Sequence, residues 1–269
     1  MTQDTYQLSG GAAAIYEKQK VPAIFSPLAE ATLDAVPLFG DDSVIDVACG
    51  TGIVARKVRA RIGPSARIVG VDLNEGMIEA AGNLTDADSR SCEWRTADVT
   101  KLPFEDGAFS VVFCQQGLQF FPDQELALQE IRRVLRPGGR IALTVWSEAN
   151  DLFIALAESL RRHVNDEVAA RSLAPFASPG AEALVSLVSK MGFGDVSKNV
   201  LVVERVLVDP ENAIPKEILG NPVGPAVLER GDVVMRRIVD EITEALSGYR
   251  RGSDFVFPTH SHLIQAKVR

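Results

Sequence analysis

Asp46, Asp72 and Asp98 each lie within or just past a run of apolar and β-branched residues in the first half of this 269-residue chain. Gly50-Thr51-Gly52 separates the first two. The glycines allow a sharp turn and close approach of backbone to a ligand, because no Cβ stands in the way. Val44-Ile45-Asp46-Val47 before the turn reads as a strand buried on both faces, and Ile53-Val54-Ala55-Arg56-Lys57-Val58 after it as the start of a helix. Strand, glycine turn and helix N-terminus together make a nucleotide-type site. Asp72 closes a second strand, Arg67-Ile68-Val69-Gly70-Val71-Asp72, 20 residues beyond Gly52. An acid there accepts hydrogen bonds from both ribose hydroxyls. Asp98 follows a third strand, Cys92 to Ala97. Beside a backbone N–H, its carboxylate can read the N6 and N1 edge of an adenine ring. Taken singly, the glycines make an ordinary turn, Asp72 a helix cap and Asp98 a turn former. Taken together at these intervals, they point to a bound nucleoside.

The nucleoside need not belong to a dinucleotide. Gly50-Thr51-Gly52-Ile53-Val54-Ala55 fits the relaxed Gly-x-Gly-x-x-Ala fingerprint of nicotinamide enzymes. Asp46, however, places a carboxylate where a pyrophosphate would lie; its charge repels phosphate and suits an ammonium or sulfonium. On these residues the chain resembles the class I S-adenosylmethionine-dependent methyltransferases, and within them the branch of ubiquinone and menaquinone biosynthesis. Asp46-Val47-Ala48-Cys49-Gly50-Thr51-Gly52 is similar to the family's first motif, and Val71-Asp72-Leu73-Asn74-Glu75-Gly76-Met77 to its ribose-binding segment. Asp98-Val99 with Leu102-Pro103-Phe104 resembles the adenine motif. Phe109 to Gln116 resembles the fourth strand with its catalytic-face loop, and Leu135-Arg136-Pro137-Gly138-Gly139-Arg140 the turn into the fifth. Ser110 stands where many relatives carry an acid and is expected near the surface.

The resemblance implies S-adenosyl-L-methionine as cofactor, held by Asp46, Ala48, Gly50, Thr51, Gly52, Asp72, Leu73, Met77, Asp98, Val99 and Gln115. It also implies a seven-stranded, mostly parallel sheet with the last strand antiparallel. Strands over about 43–48, 67–72, 91–97, 109–114 and 140–146 alternate with helices over about 52–62, 75–83 and 123–136, which predicts an α/β, Rossmann-like fold with both sheet faces covered. Two later strand-like runs, 198–208 and 255–268, flank an excursion over 209–254. The whole chain reads as one methyltransferase domain, with a cofactor-binding core over about 40–150. Residues 1–35, 147–180 and 209–254 are the acceptor-side cap, since loops on a rigid scaffold commonly carry specificity.

With 28 basic against 36 acidic residues, the net charge is −8, which disfavours nucleic acid as a partner and favours a small molecule. No stretch of about 18 uninterrupted apolar residues predicts a membrane span. The first residues lack the basic and apolar regions of a signal peptide, which predicts a cytoplasmic protein. Cys49, Cys92 and Cys114 have neither metal-ligand nor disulfide spacing, and no metal is expected. Phe25, Phe120, Phe121, Trp146, Phe153 and Phe176 are candidates for a partly apolar acceptor pocket.

The favoured reading is methyl transfer to an oxygen, nitrogen or carbon nucleophile of a small metabolite. A nicotinamide-dependent oxidoreductase and a non-catalytic S-adenosylmethionine-binding module are the alternatives. The three histidines are His163, His260 and His262. The last two share one face of the last strand, and His262 is the candidate general base for the acceptor proton. Acceptor identity and oligomeric state stay open at this level.

Overall fold

The computed structural model describes residues 11–84, 92–177 and 180–269; the parts of the expected cap and third strand that fall on 1–10, 91 and 178–179 lie outside them. Helix α1 (Gly11–Lys20) runs through a π-helical turn (Val21–Phe25) into α2 (Ser26–Ala35). Then β1 (Val44–Val47), α3 (Ile53–Ile62), β2 (Ile68–Asp72), α4 (Glu75–Leu84), β3 (Glu93–Thr96), β4 (Phe109–Gln115), α5 (Gln124–Val134) and β5 (Leu135–Trp146) alternate in the expected α/β pattern. Strand order is β3-β2-β1-β4-β5-β8-β6, with parallel pairing from β3 through β5. The last strand, β8 (Asp254–Val268), thus inserts between β5 and β6 (Phe193–Leu207).

Alternation along β1 explains the core. Ile45 and Val47 pack with Leu128, Ile131 and Val134 of α5 on one sheet face. Val44 packs with Ala29 and Leu33 of α2 and Val54 and Val58 of α3 on the other. Successive strand side chains point to opposite faces, and burial on both sides is what a parallel sheet under helices requires. Asp46 shares the face of Val44 and is therefore aimed at α3. Helix α5 is fixed at its start by Asp123, whose side chain accepts from Leu126 N at 2.9 Å.

Among the described residues the sheet has eight strands rather than seven. The extra one, β7 (Arg250–Arg251), is a two-residue ribbon paired antiparallel to the start of β8. Strand β5 also begins earlier than its turn-like Leu135-Arg136-Pro137-Gly138-Gly139 stretch predicts. Leu135 pairs with Phe109, and the register then shifts before Val111 meets Arg140. A bulge thus absorbs the proline and glycines. Ser110 is not near the surface: it is 1% exposed and donates to Asp42 Oδ1 at 2.6 Å. Asp42, buried and paired with Arg140 at 2.7 Å, supplies from the preceding loop a carboxylate at this place.

The chain divides into two compact units. The first comprises Met1–Val145, Pro179–Leu201 and Ser261–Arg269; it holds the cores just described and α8 (Ala181–Lys190). The second comprises Trp146–Ser178 and Val202–His260. It contains α6 (Asp151–His163), α7 (Asp166–Leu173), α9 (Pro210–Leu219), α10 (Gly224–Leu228) and α11 (Asp232–Ala245). Its own core joins Leu152, Leu156 and Leu160 of α6 to Ile238 and Ile242 of α11 and to Phe255 and Phe257 of β8. Inside that core Arg205 and Glu217 form a buried ion pair at 2.6 Å, with the guanidinium 5.8 Å from the Phe153 ring centroid.

Candidate functional site

The turn after β1 is built by backbone that side chains rarely adopt. Ala48, Gly50 and Gly52 have φ of 55°, 55° and 83°. Gly52 caps α3, and its conformation is one reason it is glycine. Trp94 is the other: a Cβ on Gly52 would sit 2.1 Å from the indole, and one on Gly70 would sit 2.2 Å from it. The Trp94 ring therefore wedges against two glycines, a structural demand that the glycine pattern does not announce.

Asp72 clamps this turn. Its Oδ2 accepts from Gly50 N at 2.8 Å and its Oδ1 from Asn74 N at 2.9 Å. Each carboxylate oxygen keeps a further lone pair for a ligand hydroxyl. Burial raises the Asp72 carboxyl above its usual range, opposed by the backbone donors of Asn74, Gly50 and Leu73. The end of β3 lies alongside, since Asp72 pairs with Thr96 and its carbonyl accepts from Ala97 N at 2.9 Å. Asp98 is thus brought near Asp72 along the chain. Its Oδ1 accepts from the backbone N–H and the hydroxyl of Thr100, so it caps the short helical turn Val99–Lys101. Leu73 is exposed, Met77 buried on α4 and Val99 half-buried.

Asp46 is 1% exposed. Its Oδ2 accepts from Ala55 N at 3.2 Å, in the first turn of α3, while its Oδ1 is buried without a partner. Burial pushes its carboxyl up to about 8, with the Asp72 charge adding to the rise and the Ala55 N–H opposing it. Gln115, at the end of the adjacent β4, donates from Nε2 to Phe25 O at 3.1 Å and also leaves a buried Oε1 without a partner. Two unfilled acceptors at neighbouring strand ends, one of them a carboxylate, fit a cationic ligand and not a pyrophosphate. A Cβ on Gly50 would meet nothing closer than the Tyr16 hydroxyl at 3.8 Å, so the glycine faces open space above the turn. Thr51 is buried and donates to Glu17 Oε2 at 2.5 Å. These residues fit S-adenosylmethionine: open space at a glycine turn, an ionisable acid short of one partner, and a ribose-type acid beside them.

Next to the turn, the loop after β4 is also strained. Gln116 has φ of 57°, and its Nε2 donates to Ser261 Oγ at 2.9 Å. The loops after β1 and β4 interlock, since a Cβ on Gly117 would lie 2.6 Å from Ala48 Cβ. Such outliers cluster at ligand sites. In the sequence Gln116 falls in the loop after the fourth strand, Trp94 in the third strand and Tyr16 in the segment expected to cap the acceptor side, and nothing in their local pattern gives any of the three an individual role.

The histidines are held separately. His163 Nε2 lies 2.8 Å from Glu241 Oε1; burial raises the Glu241 carboxyl, but hydrogen bonds from Arg162, Ser159 and His163 outweigh it and hold that glutamate low, at about 2. His260 Nδ1 lies 3.2 Å from Glu148. His262 is half-buried on β8, on the strand face it shares with His260. Among the described residues no cluster of histidine, cysteine and acids could hold a metal ion.

Residues 45–143 match the family model described as a methyltransferase domain. The chain is 32% identical over 169 residues to a demethylmenaquinone methyltransferase of Lactococcus lactis, covering 56% of this chain and 65% of that one. It is 34% identical over 128 residues to the ubiquinone/menaquinone biosynthesis C-methyltransferase UbiE of Hahella chejuensis, covering 47% and 51%. Among solved structures it resembles a phosphoethanolamine N-methyltransferase 2 of Haemonchus contortus in complex with S-adenosyl-L-methionine. The TM-score there is 0.61, with 19% identity over 96% of this chain and 57% of that one, a likeness of fold. Residues 45–143 are thus similar to the methyltransferase domain, and the two relatives support a class I S-adenosylmethionine-dependent methyltransferase of the ubiquinone and menaquinone branch. S-adenosylmethionine is that domain's cofactor. The chain spans less than two thirds of the length of these curated relatives.

Proposed function

We propose that this protein is an enzyme that methylates an oxygen, nitrogen or carbon nucleophile of a small, partly apolar metabolite. The observation that carries this reading is the buried Asp46 carboxylate, with one oxygen unfilled, beside the turn that Asp72 clamps. S-adenosylmethionine supplies an electrophilic methyl group on a sulfonium centre. The chain's own residues bind and orient: Asp46 and Gln115 offer acceptors to its cationic end, Asp72 takes the ribose hydroxyls and Asp98 the adenine edge. Ala48, Gly50, Thr51 and Gly52 shape the turn, and Leu73, Met77 and Val99 flank the nucleoside. Alignment of reacting groups can contribute about 7–11 kcal/mol towards such a barrier. His262 is assigned the acceptor proton, which an imidazole can take near neutral pH. Acceptor choice is assigned to the segments outside the matched domain, 1–35, 147–180 and 209–254.

The names of the two relatives make a quinol ring the first acceptor class to test. Among the described residues no helix is long and apolar enough to cross a membrane. The test is transfer of a labelled methyl group to quinols, phenols and amines, preceded by calorimetry with S-adenosylmethionine and with NAD. Tight binding of NAD alone would return the protein to the oxidoreductases. Cofactor binding without transfer to any acceptor in metabolite extracts would make it a binding module.

A further inference from the structure

Helix α1 lies outside the matched domain, yet it reaches the glycine turn. Glu17 accepts from the Thr51 hydroxyl at 2.5 Å and pairs with Arg56 at 2.7 Å, which ties α1 to the turn and to α3 at once. That tether places Tyr16. Its ring stacks on Phe25 with centroids 5.2 Å apart. Its hydroxyl is the nearest protein atom to the open space over Gly50. The hydroxyl makes no hydrogen bond among the described residues.

The charge around that hydroxyl is one-sided. Asp72, Glu17 and Asp46 all act on it, and with burial they raise its proton affinity, so it stays an O–H donor across the neutral range. The amino-acid end of S-adenosylmethionine carries both an ammonium and a carboxylate. At this turn the acids welcome the first and repel the second. A neutral donor facing the open space offsets that repulsion without adding a competing cation.

We propose that Tyr16 is a cofactor-binding residue whose hydroxyl donates to the carboxylate at the amino-acid end of S-adenosylmethionine, on a helix that Glu17 holds in place. This rests on the cofactor reading above. It separates two halves of the ligand: the adenosine half belongs to Asp72 and Asp98, the amino-acid half to Tyr16 and Asp46.

The test compares S-adenosylmethionine with 5′-methylthioadenosine, which keeps the nucleoside and sulfur but lacks the amino-acid end. Calorimetry is run on the full chain and on Tyr16→Phe, which keeps the ring and its stack on Phe25. The variant should bind S-adenosylmethionine about tenfold more weakly, as loss of a hydrogen bond to a charged group implies. It should bind 5′-methylthioadenosine as the parent does. Unchanged binding of both ligands, or equal losses for both, overturns the proposal. Hydrogen exchange on the unmodified chain gives an independent reading that no substitution can confuse. S-adenosylmethionine should slow exchange in α1 and 5′-methylthioadenosine should not; equal protection by both, or by neither, counts against Tyr16. If the unmodified chain binds no S-adenosylmethionine, the proposed function itself falls, a result distinct from a Tyr16→Phe variant that binds normally.

Discussion

Cofactor binding should release a proton, and Asp46→Asn should abolish that release. The carboxyl of Asp46 is pushed up to about 8, chiefly by burial, so in the free protein it is protonated at pH 7 and below. A cation set against its unfilled Oδ1 favours the ionised form and draws the value down. Binding is then linked to loss of a proton wherever the pH lies between the bound and free values. From pH 7.5 to 5.5 the affinity for S-adenosylmethionine should fall up to tenfold per unit, or about 2.7 kcal/mol over the window. Above about pH 8 this dependence should flatten. The stability of the free protein runs the opposite way with pH. A carboxyl raised from 3.8 contributes stability that is fully present below the unfolded value and lost as pH rises through about 8. Calorimetry in two buffers of different ionisation enthalpy counts the protons directly. The amide of the Asp46→Asn variant has no proton to lose, so that variant should bind weakly with a flat profile. Proton-neutral binding by the parent chain, or an equal slope in the variant, would refute the assignment of Asp46 to the cationic end.

Gly52→Ala should cost about 2–4 kcal/mol in urea unfolding, because it meets both a left-handed backbone and the Trp94 ring; a loss under about 1 kcal/mol would show the ring to be freely displaced. Glu217→Ala should destabilise by about 3–5 kcal/mol, since it strips a counter-ion from the buried Arg205, whose Nε already lacks a partner. The double variant Arg205→Met with Glu217→Leu should recover most of that loss, and failure to do so would place the cost in packing instead. His262→Ala should lower turnover with cofactor affinity unchanged; turnover equal to the parent's from pH 6 to 9 would remove it from the reaction.

What the sequence disclosed was local. The β-branched run at Val44, the glycines after it and the acid closing β2 declare a strand, a turn and a switch to helix, and each is where periodicity puts it. Contacts between distant segments were not legible. Ser110 is buried because Asp42, 68 positions earlier, turns its carboxylate inward, and no spacing rule encodes such a pairing. Trp94 reads as one more aromatic in a short strand until Gly52 and Gly70 are seen to be hollowed for it. Asp98 was legible as a turn former and as an adenine reader, and its Thr100 contacts show the first role without excluding a ligand from the second oxygen. Tyr16 depends on how α1 folds back, which Glu17 decides through Thr51 and Arg56.

The interlock of Ala48 with Gly117 constrains how this site can evolve or be redesigned. A side chain at 117 would bring its Cβ to 2.6 Å from Ala48 Cβ and 2.8 Å from Cys114 Sγ, so one of them must move to admit it. A substitution at 117 made alone should therefore strain the loop after β1 as well as its own. Productive changes must arrive in pairs, one from each loop, so that the path between two specificities passes through combinations and not through single steps. The same coupling makes this pair of positions a place to look for epistasis by double-mutant cycle, with the non-additive part measuring how tightly the two loops share their space.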